Sequence, residues 1–319
     1  MLYAFNLSNG RLNRLQIEEG SDLRAMQPVW LDLIAPTDED RARVEEAFGV
    51  RLPRPAHLQD IEASARFYEG EGEVHLRSDF LSGKESRSRS VTVAFVLSGS
   101  TLISVHEDDL PIFRLLRMHL HAQAGNIEDN LDVLVDLYGM DVEFSADALE
   151  KVYADLGEVS RRVLSGPLRD RDAAKALAVI AHAEHINGRI RRNVMDTQRA
   201  VSFLIRSRLL RPEQVEEARL IQQDIESLHG HTAFLSDKIN FLMNSTTGFI
   251  NINQNRIVRM FTIASVVLLP PTLVASVYGM NFEFMPELGW KLGYPFALTL
   301  MALSVAGPLW FFLRKGWLK

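Results

Sequence analysis

The sequence predicts an α+β domain followed by long stalk helices and two C-terminal transmembrane helices. Three observations carry that prediction. Short apolar runs punctuated by turn residues extend to residue 105, an apolar heptad repeat runs from residue 221 to 246, and two uncharged runs occupy 260–278 and 294–313. The divisions that follow are a mixed α/β domain at 1–125, a long-helix stalk region at 126–259, a first span at 260–278, a connection at 279–293, a second span at 294–313 and a basic tail at 314–319.

Residues 1–6 and 11–17 are apolar-rich runs on either side of Asn9-Gly10, a dipeptide that accepts positive φ and favours a hairpin. A third strand is expected at 29–34. Pro36-Thr37-Asp38-Glu39-Asp40 then starts a helix with Thr37 as its cap, ending near Gly49. Four more strands follow at 65–68, 73–80, 91–97 and 101–105, broken by Gly-rich or Ser-rich turns. From Pro111 the apolar period becomes helical. Residues 129–164 form a long amphipathic helix with Leu131, Leu134, Val135 and Tyr138 on its apolar face, stopped by Ser165-Gly166-Pro167, and a second long helix covers 173–207.

Pro212 opens a third long helix. Its apolar or small residues Ile221, Ile225, Leu228, Thr232, Leu235, Ile239, Leu242 and Thr246 alternate steps of four and three, the spacing of a heptad seam. No proline interrupts it before Pro270, so a rod unbroken to Tyr278 would be roughly 100 Å long at ~1.5 Å per residue. One such stripe also suits a helix inside a soluble bundle. Because this one feeds into a span, the expectation is a stalk packed on copies of itself or on its own hairpin partner, with His229-Gly230-His231 marking a local irregularity.

The runs at 260–278 and 294–313 hold 19 and 20 uncharged residues, matching the ~20 needed to cross a hydrocarbon core. Pro270-Pro271 frees backbone carbonyls that a water-lined position would satisfy. Arg256 and Arg259 precede the first span, and Arg314, Lys315 and Lys319 follow the second, whereas the connection carries Lys291 against Glu283 and Glu287. The positive-inside rule therefore places both termini and the large N-terminal region in the cytoplasm of a cell whose inner (plasma) membrane the chain spans. Two helices cannot enclose an aqueous path, so a pore needs several copies. Ser265, Thr272 and Ser276, with Asn255 below the span, recur at near-heptad spacing on one face.

Composition narrows the function further. With 41 acidic against 35 basic residues and a formal net charge of -6, no nucleic-acid partner is expected. The absence of cysteine excludes disulfides, thiolate zinc sites and thiol catalysis. No phosphate-binding glycine loop, nucleophile elbow or HExxH helix appears, so neither an enzyme nor an organic cofactor is expected. The first fifteen residues lack the apolar core of a secretory signal, and no cleavage is expected there.

At the outer end of the first span stands Tyr278-Gly279-Met280-Asn281, followed by Phe282-Glu283-Phe284-Met285-Pro286-Glu287-Leu288, with Lys315-Gly316-Trp317-Leu318 in the tail. A Gly-Met-Asn triplet between two C-terminal spans closely resembles the CorA family of magnesium transporters. The resemblance covers 248–319 most strongly, and the layout of a sheet domain followed by long helices is similar too. It implies a funnel-shaped homopentamer in the lipid bilayer, passing divalent cations, with the first span lining the pore. By the same resemblance Gly279, Met280 and Asn281 form the outer selectivity site, and Asn255, Val258, Phe261, Leu269 and Thr272 fall at pore-lining positions, with Val258, Phe261 and Leu269 as the apolar constriction. Magnesium is the implied substrate, with cobalt or nickel as further cargo, and cytoplasmic magnesium held between subunits is the implied brake.

Elementary chemistry agrees with that assignment. Magnesium dehydrates reluctantly, so a fast path does better to hold the hydrated ion. A ring of Asn281 carbonyls offers its waters neutral acceptors, and carboxylates there would release the ion too slowly. Gly279 is expected to leave the helix in a conformation closed to other residues, and Met280 to pack. Two other readings stay open: a transporter of another divalent metal such as zinc, and a membrane scaffold that transports nothing. Asp79 and Asp224 are acidic positions suited to a regulatory ion, though as single residues they suit a solvated surface better, so the regulatory ligands remain unassigned. His182-x-Glu184-His185 has zinc-like spacing but no third ligand, which favours a polar helix face. His106-Glu107-Asp108-Asp109 is placed to cap the helix after Pro111.

Overall fold

The seven expected strands pair into one sheet. In the computed structural model they are β1 (Leu2–Ser8), β2 (Arg11–Leu15), β3 (Trp30–Ile34), β4 (Phe67–Glu69), β5 (Glu73–Leu81), β6 (Ser90–Ser98) and β7 (Thr101–His106), in the order β2-β1-β3-β7-β6-β5-β4. Only β3 and β7 run parallel, with Asp32 opposite Ser104, and every other pair is antiparallel. The structure describes residues 1–8, 10–18, 20–54, 66–70, 72–83, 89–122, 127–165, 169–281 and 285–317. Asn9, Ala65, Gly166, Pro167, Phe282, Glu283, Phe284, Leu318 and Lys319 lie outside them. Gly10, at φ 69°, turns β1 into β2 so that Ser8 faces Arg11, a backbone that a side chain would strain.

Period-two alternation gives the sheet two different faces. One carries Ala4, Leu31, Leu33, Ala94, Val96, Ile103 and Val105, covered by Val44 of α1 (Asp38–Phe48) together with Leu23, Val50 and Leu52. Helix α1 begins as expected: Thr37 and Asp40 exchange side chain-to-backbone bonds in a capping box, and Gly49 ends it at φ 69°. The other face is aromatic. Trp30, Phe80, Phe95, Phe113 and Tyr138 meet at centroid distances of 5.7 to 6.3 Å, with Phe113 from α2 (Pro111–Ala122) and Tyr138 from α3 (Asn130–Leu164). A buried polar knot sits among them. Asp32 accepts from Ser104 Oγ at 2.7 Å and Arg117 Nη1 at 2.6 Å, and lies 2.8 Å from His106 Nε2, so its desolvated charge is fully partnered.

That knot corrects one expectation. His106, Asp108 and Asp109 do not serve as a cap for α2: His106 is buried against Asp32, Asp108 pairs with Arg89, and Asp109 pairs with Arg114 and Arg117. Tertiary cations outcompete the local cap. Helix α3 starts on Asp129, whose side chain takes the amides of Leu131 and Asp132 in a second capping box.

Helix α4 (Asp170–Ser207) and α5 (Pro212–Tyr278) complete the long-helix region. All eight seam residues from Ile221 to Thr246 are buried within a single chain, none above 8% exposure. The partner over its first half is the chain's own bundle. Ile221 Cδ1 lies 3.6 Å from where Gly139 of α3 would carry a Cβ, and Asn187 of α4 donates to the Thr232 carbonyl and Ser236 Oγ, both at 3.0 Å. Helix α5 runs without a break through His229-Gly230-His231, against the expected irregularity. One glycine in a helix costs only about 1 kcal/mol, and buried Leu228 and Thr232 on either side hold the turn in place.

Two compact units result, Met1–Ser165 with Ala174–Met243, and Gly166–Ala173 with Asn244–Lys319. In the second unit α5 is followed by one 3-10 turn, Pro286–Gly289, that the sequence reading did not foresee, and by α6 (Gly293–Arg314).

Candidate ion-conduction site

Helix α5 carries no charged residue after Arg259, and Pro270 and Pro271 both lie within it. At 100° per residue, Asn255, Val258, Phe261, Ser265, Leu269, Thr272 and Ser276 fall within about 120° of arc. All seven are exposed in the single chain, Phe261 at 71%, Leu269 at 65% and Val258 at 63%. Off that face Ile263 is 8% exposed whereas Met260 and Leu268 stand at 57% and 62%, and on α6 Ala297 and Phe312 are nearly buried. The bare face therefore combines large apolar groups with hydroxyls and an amide.

The polar atoms on that face present acceptors. Thr272 Oγ1 donates its proton to the Leu268 carbonyl at 2.7 Å, leaving lone pairs to face outward. Pro270 and Pro271 have no N–H, so the carbonyls four residues earlier, on Val266 and Val267, also lose their helical partners, although by the same spacing these lie outside that face. Water bound to a cation presents only hydrogens outward, and acceptors are what it needs.

Helix α5 stops where the triplet begins. The Gly279 amide still bonds the Ala275 carbonyl at 2.9 Å and Met280 the Val277 carbonyl at 3.3 Å, after which Asn281 is free of the helix and exposed. Gly279 departs from expectation, since its φ is not among the positive ones. Its requirement is one of space: a Cβ there would sit 3.0 Å from the Ala275 carbonyl oxygen. Met280, expected to pack, is 46% exposed in the single chain.

Aromatic and basic side chains collar the spans. Trp290 and Tyr294 are exposed at one end of α6. At the other end Arg314 lies over the Trp310 ring at 5.4 Å and Lys315 over Phe311 at 5.3 Å. Arg259, at the start of the first uncharged run, lies over Trp317 at 5.6 Å, so the runs form an antiparallel hairpin. Both helices are long and apolar enough to cross a membrane, with little of either buried in one chain. Tryptophan and arginine at such boundaries keep a charged head in water and an aromatic body in the interface.

The family described as CorA-like Mg2+ transporter protein matches residues 26–315. The chain belongs to that family. It is 45% identical over 319 residues, the full length of both chains, to the protein named "Magnesium transport protein CorA" of Escherichia coli, and 46% identical over the same span to that of Salmonella typhimurium. The complete CorA magnesium transporter from Methanocaldococcus jannaschii superposes with a TM-score of 0.77 at 17% identity, covering 99% of this chain and 98% of that one, a likeness of fold.

The two acidic positions suited to a regulatory ion stand in different surroundings in this CorA-family chain. Asp79 is not a free ligand: it lies 3.5 Å from Arg66, accepts from Thr92 Oγ1 at 2.6 Å and donates its amide to Asp196. Asp224 is exposed. Neither His182 nor His185 belongs to a metal-holding group, for among the described residues no three His, Cys, Asp or Glu are so arranged. A cavity of about 720 Å³ between α3 and α5 is lined by Glu128, Asp132, Asp136, Glu213, Glu216 and Glu217, with Arg211 bonded to Glu128, Asp129 and Asp132.

Arg211 is taken up by Glu128, Asp129 and Asp132, and among the described residues Asp136 has no ion-pair partner. Burial, then Glu217 and Asp132, push its carboxyl up to about 7. The folded chain thus binds this proton more tightly than the unfolded one, so the stability it contributes is full below pH 4 and lost as pH rises toward 7. Asp136→Asn abolishes that loss. The variant's stability minus the parent's should widen from pH 5 to pH 7.5, by roughly 2 kcal/mol, and stay level above. An offset independent of pH would refute the assignment. Sequence gave no sign of this, because α3 and α5 are far apart in the chain.

Proposed function

We propose that this chain forms a homopentameric channel in the inner membrane through which hydrated Mg2+ enters the cytoplasm. The observation that carries the reading is Asn281, exposed beyond the end of a 67-residue helix whose bare face joins acceptors to an apolar belt, in a chain so close to proteins named for magnesium transport. In the assembly the α5 helices surround the axis, Gly279, Met280 and Asn281 form the outer entrance, and Asn255 and Thr272 touch the ion's water. Val258, Phe261 and Leu269 make a ring narrow and apolar enough to dewet, and small splaying of the helices opens it. Both termini lie in the cytoplasm, supported by Arg259, Arg314 and Lys315 at one end of the hairpin. The membrane potential contributes about 2.3 kcal/mol per charge per 100 mV and drives a dication inward without ATP. Cytoplasmic Mg2+ acts as the brake, on ligands drawn from more than one copy.

Reconstitution into liposomes with an entrapped magnesium dye tests the reading. Flux should be rapid and should be inhibited by hexaammine cobalt(III), an inert mimic of a hydrated metal ion. Transport of zinc or nickel indifferent to that complex would favour a carrier that strips its cargo. No flux of any divalent ion would favour a scaffold.

A further inference from the structure

Helix α4 carries five residues on one flank, Glu184, His185, Gly188, Arg189 and Arg192, that wall a cavity of about 440 Å³ closed on its other side by Arg89 and Ser90 at the start of β6. We infer that this cavity is a binding site for a polyphosphate-bearing anion, free or carried by a nucleotide.

Charge is the first support. The walls hold three guanidinium groups against one carboxylate, Glu184. Arg89 is paired with Asp108, whereas Arg189 and Arg192 have no carboxylate partner among the described residues. The second support is an unmade bond: Arg189 Nη1 is buried and has no hydrogen-bond partner. A desolvated guanidinium N–H left without an acceptor is costly, and native proteins rarely keep one without use. A guanidinium fork matches phosphate oxygens two at a time, so a phosphoryl group that draws the Arg189 fork out toward the cavity gives its buried Nη1 an acceptor and meets the unpaired charge of Arg192 as well. The Ser90 hydroxyl and the His185 imidazole add donors.

Gly188 is the third support. It lies inside a helix, exposed, with nothing within 4 Å of where a Cβ would stand, so packing does not explain a residue that weakens the helix. A missing side chain there keeps the space open between Glu184, Arg189 and Arg192. That space exceeds one phosphate and lies in the range of small-molecule sites. Two unpaired guanidinium groups facing the wall of Arg89 and Ser90 can each take a phosphoryl.

Calorimetric titration of the full-length protein in detergent, in 150 mM salt with excess EDTA so that no divalent ion holds the probe, tests the site. Tripolyphosphate and ATP should bind, inorganic phosphate and AMP more weakly, and adenosine not at all. Tighter binding of ATP than of tripolyphosphate identifies a nucleotide site, and equal binding a bare polyphosphate site. Arg192→Gln, on an exposed position, should weaken both by about tenfold or more, and Arg189→Gln likewise. Gly188→Glu, placed where nothing is displaced, should abolish binding with the melting temperature preserved. Absence of tripolyphosphate binding, or binding unchanged in Arg192→Gln and Gly188→Glu, would overturn the assignment.

Discussion

Asn281→Ala is expected to lower magnesium uptake by at least tenfold while leaving the oligomer intact. Asn281 stands beyond the last helical turn, exposed, and among the described residues it makes no hydrogen bond that holds α5 or α6, so its removal should cost little stability. Tenfold in rate corresponds to about 1.4 kcal/mol, roughly one amide hydrogen bond, and a ring of copies loses one from each. Asn281→Asp makes the complementary case. A carboxylate holds the hydrated ion harder, so half-saturation should come at lower magnesium while the maximal rate falls, because release becomes slow. Growth of a transport-deficient host across a magnesium series, together with initial rates in liposomes, reads both. Parental uptake by the alanine variant would remove the triplet from the conduction path.

What the sequence disclosed was local. Thr37 with Asp40 announced a capping box because both halves lie within one turn, and Gly49 announced a helix end because only glycine is comfortable at its φ. Pro212 and the uncharged runs bounded α5 and α6 to within a residue or two, since period, proline and charge are properties of a single segment. Part of the candidate face of α5 was legible for the same reason: Asn255, Ser265, Thr272 and Ser276 are related by near-heptad spacing, whereas Val258, Phe261 and Leu269 were placed there by resemblance to the CorA family.

Pairings across the chain were not legible. His106 reads as part of an acidic turn until Asp32, 74 residues away, is seen beside it. The heptad seam has the right spacing for self-association, yet α3 and α4 of the same chain cover its first half, and periodicity cannot tell one apolar partner from another. Gly279 shows the limit at close range. Its residue type signals a constraint, but an approach to the Ala275 carbonyl and a positive φ leave the same mark in sequence. Arg189 is the opposite case, an ordinary arginine on an ordinary helix whose unpartnered nitrogen exists only in three dimensions.

The largest effect on stability should come from Arg66, just before β4. Its Nη1 donates to Asp196 Oδ1 at 2.6 Å and its Nη2 lies 3.5 Å from Asp79 Oδ2, with the three side chains 11%, 5% and 13% exposed. Asp196 also accepts the Asp79 amide at 2.8 Å. Burial pushes the Asp196 carboxyl up, while Arg66 and that amide pull against it. Arg66→Met keeps the volume and removes the cation shared by both carboxylates, leaving two like charges desolvated side by side. Removing one partner of a buried pair costs about 3–5 kcal/mol, a large share of the whole stability of an ordinary domain. The sign of the pH dependence follows. Without Arg66 the Asp196 carboxyl, already raised by burial, holds its proton more tightly still in the folded state, so the variant's deficit is smallest at low pH and grows as pH rises toward neutrality. Asp196→Asn in the same chain removes one of the stranded charges and should restore much of the loss. Thermal melts of the two variants at pH 5.5 and 8 decide it: a deficit under 1 kcal/mol at pH 8, or no recovery in the double variant, would mean that α4 is held to β5 by packing and not by this ion pair.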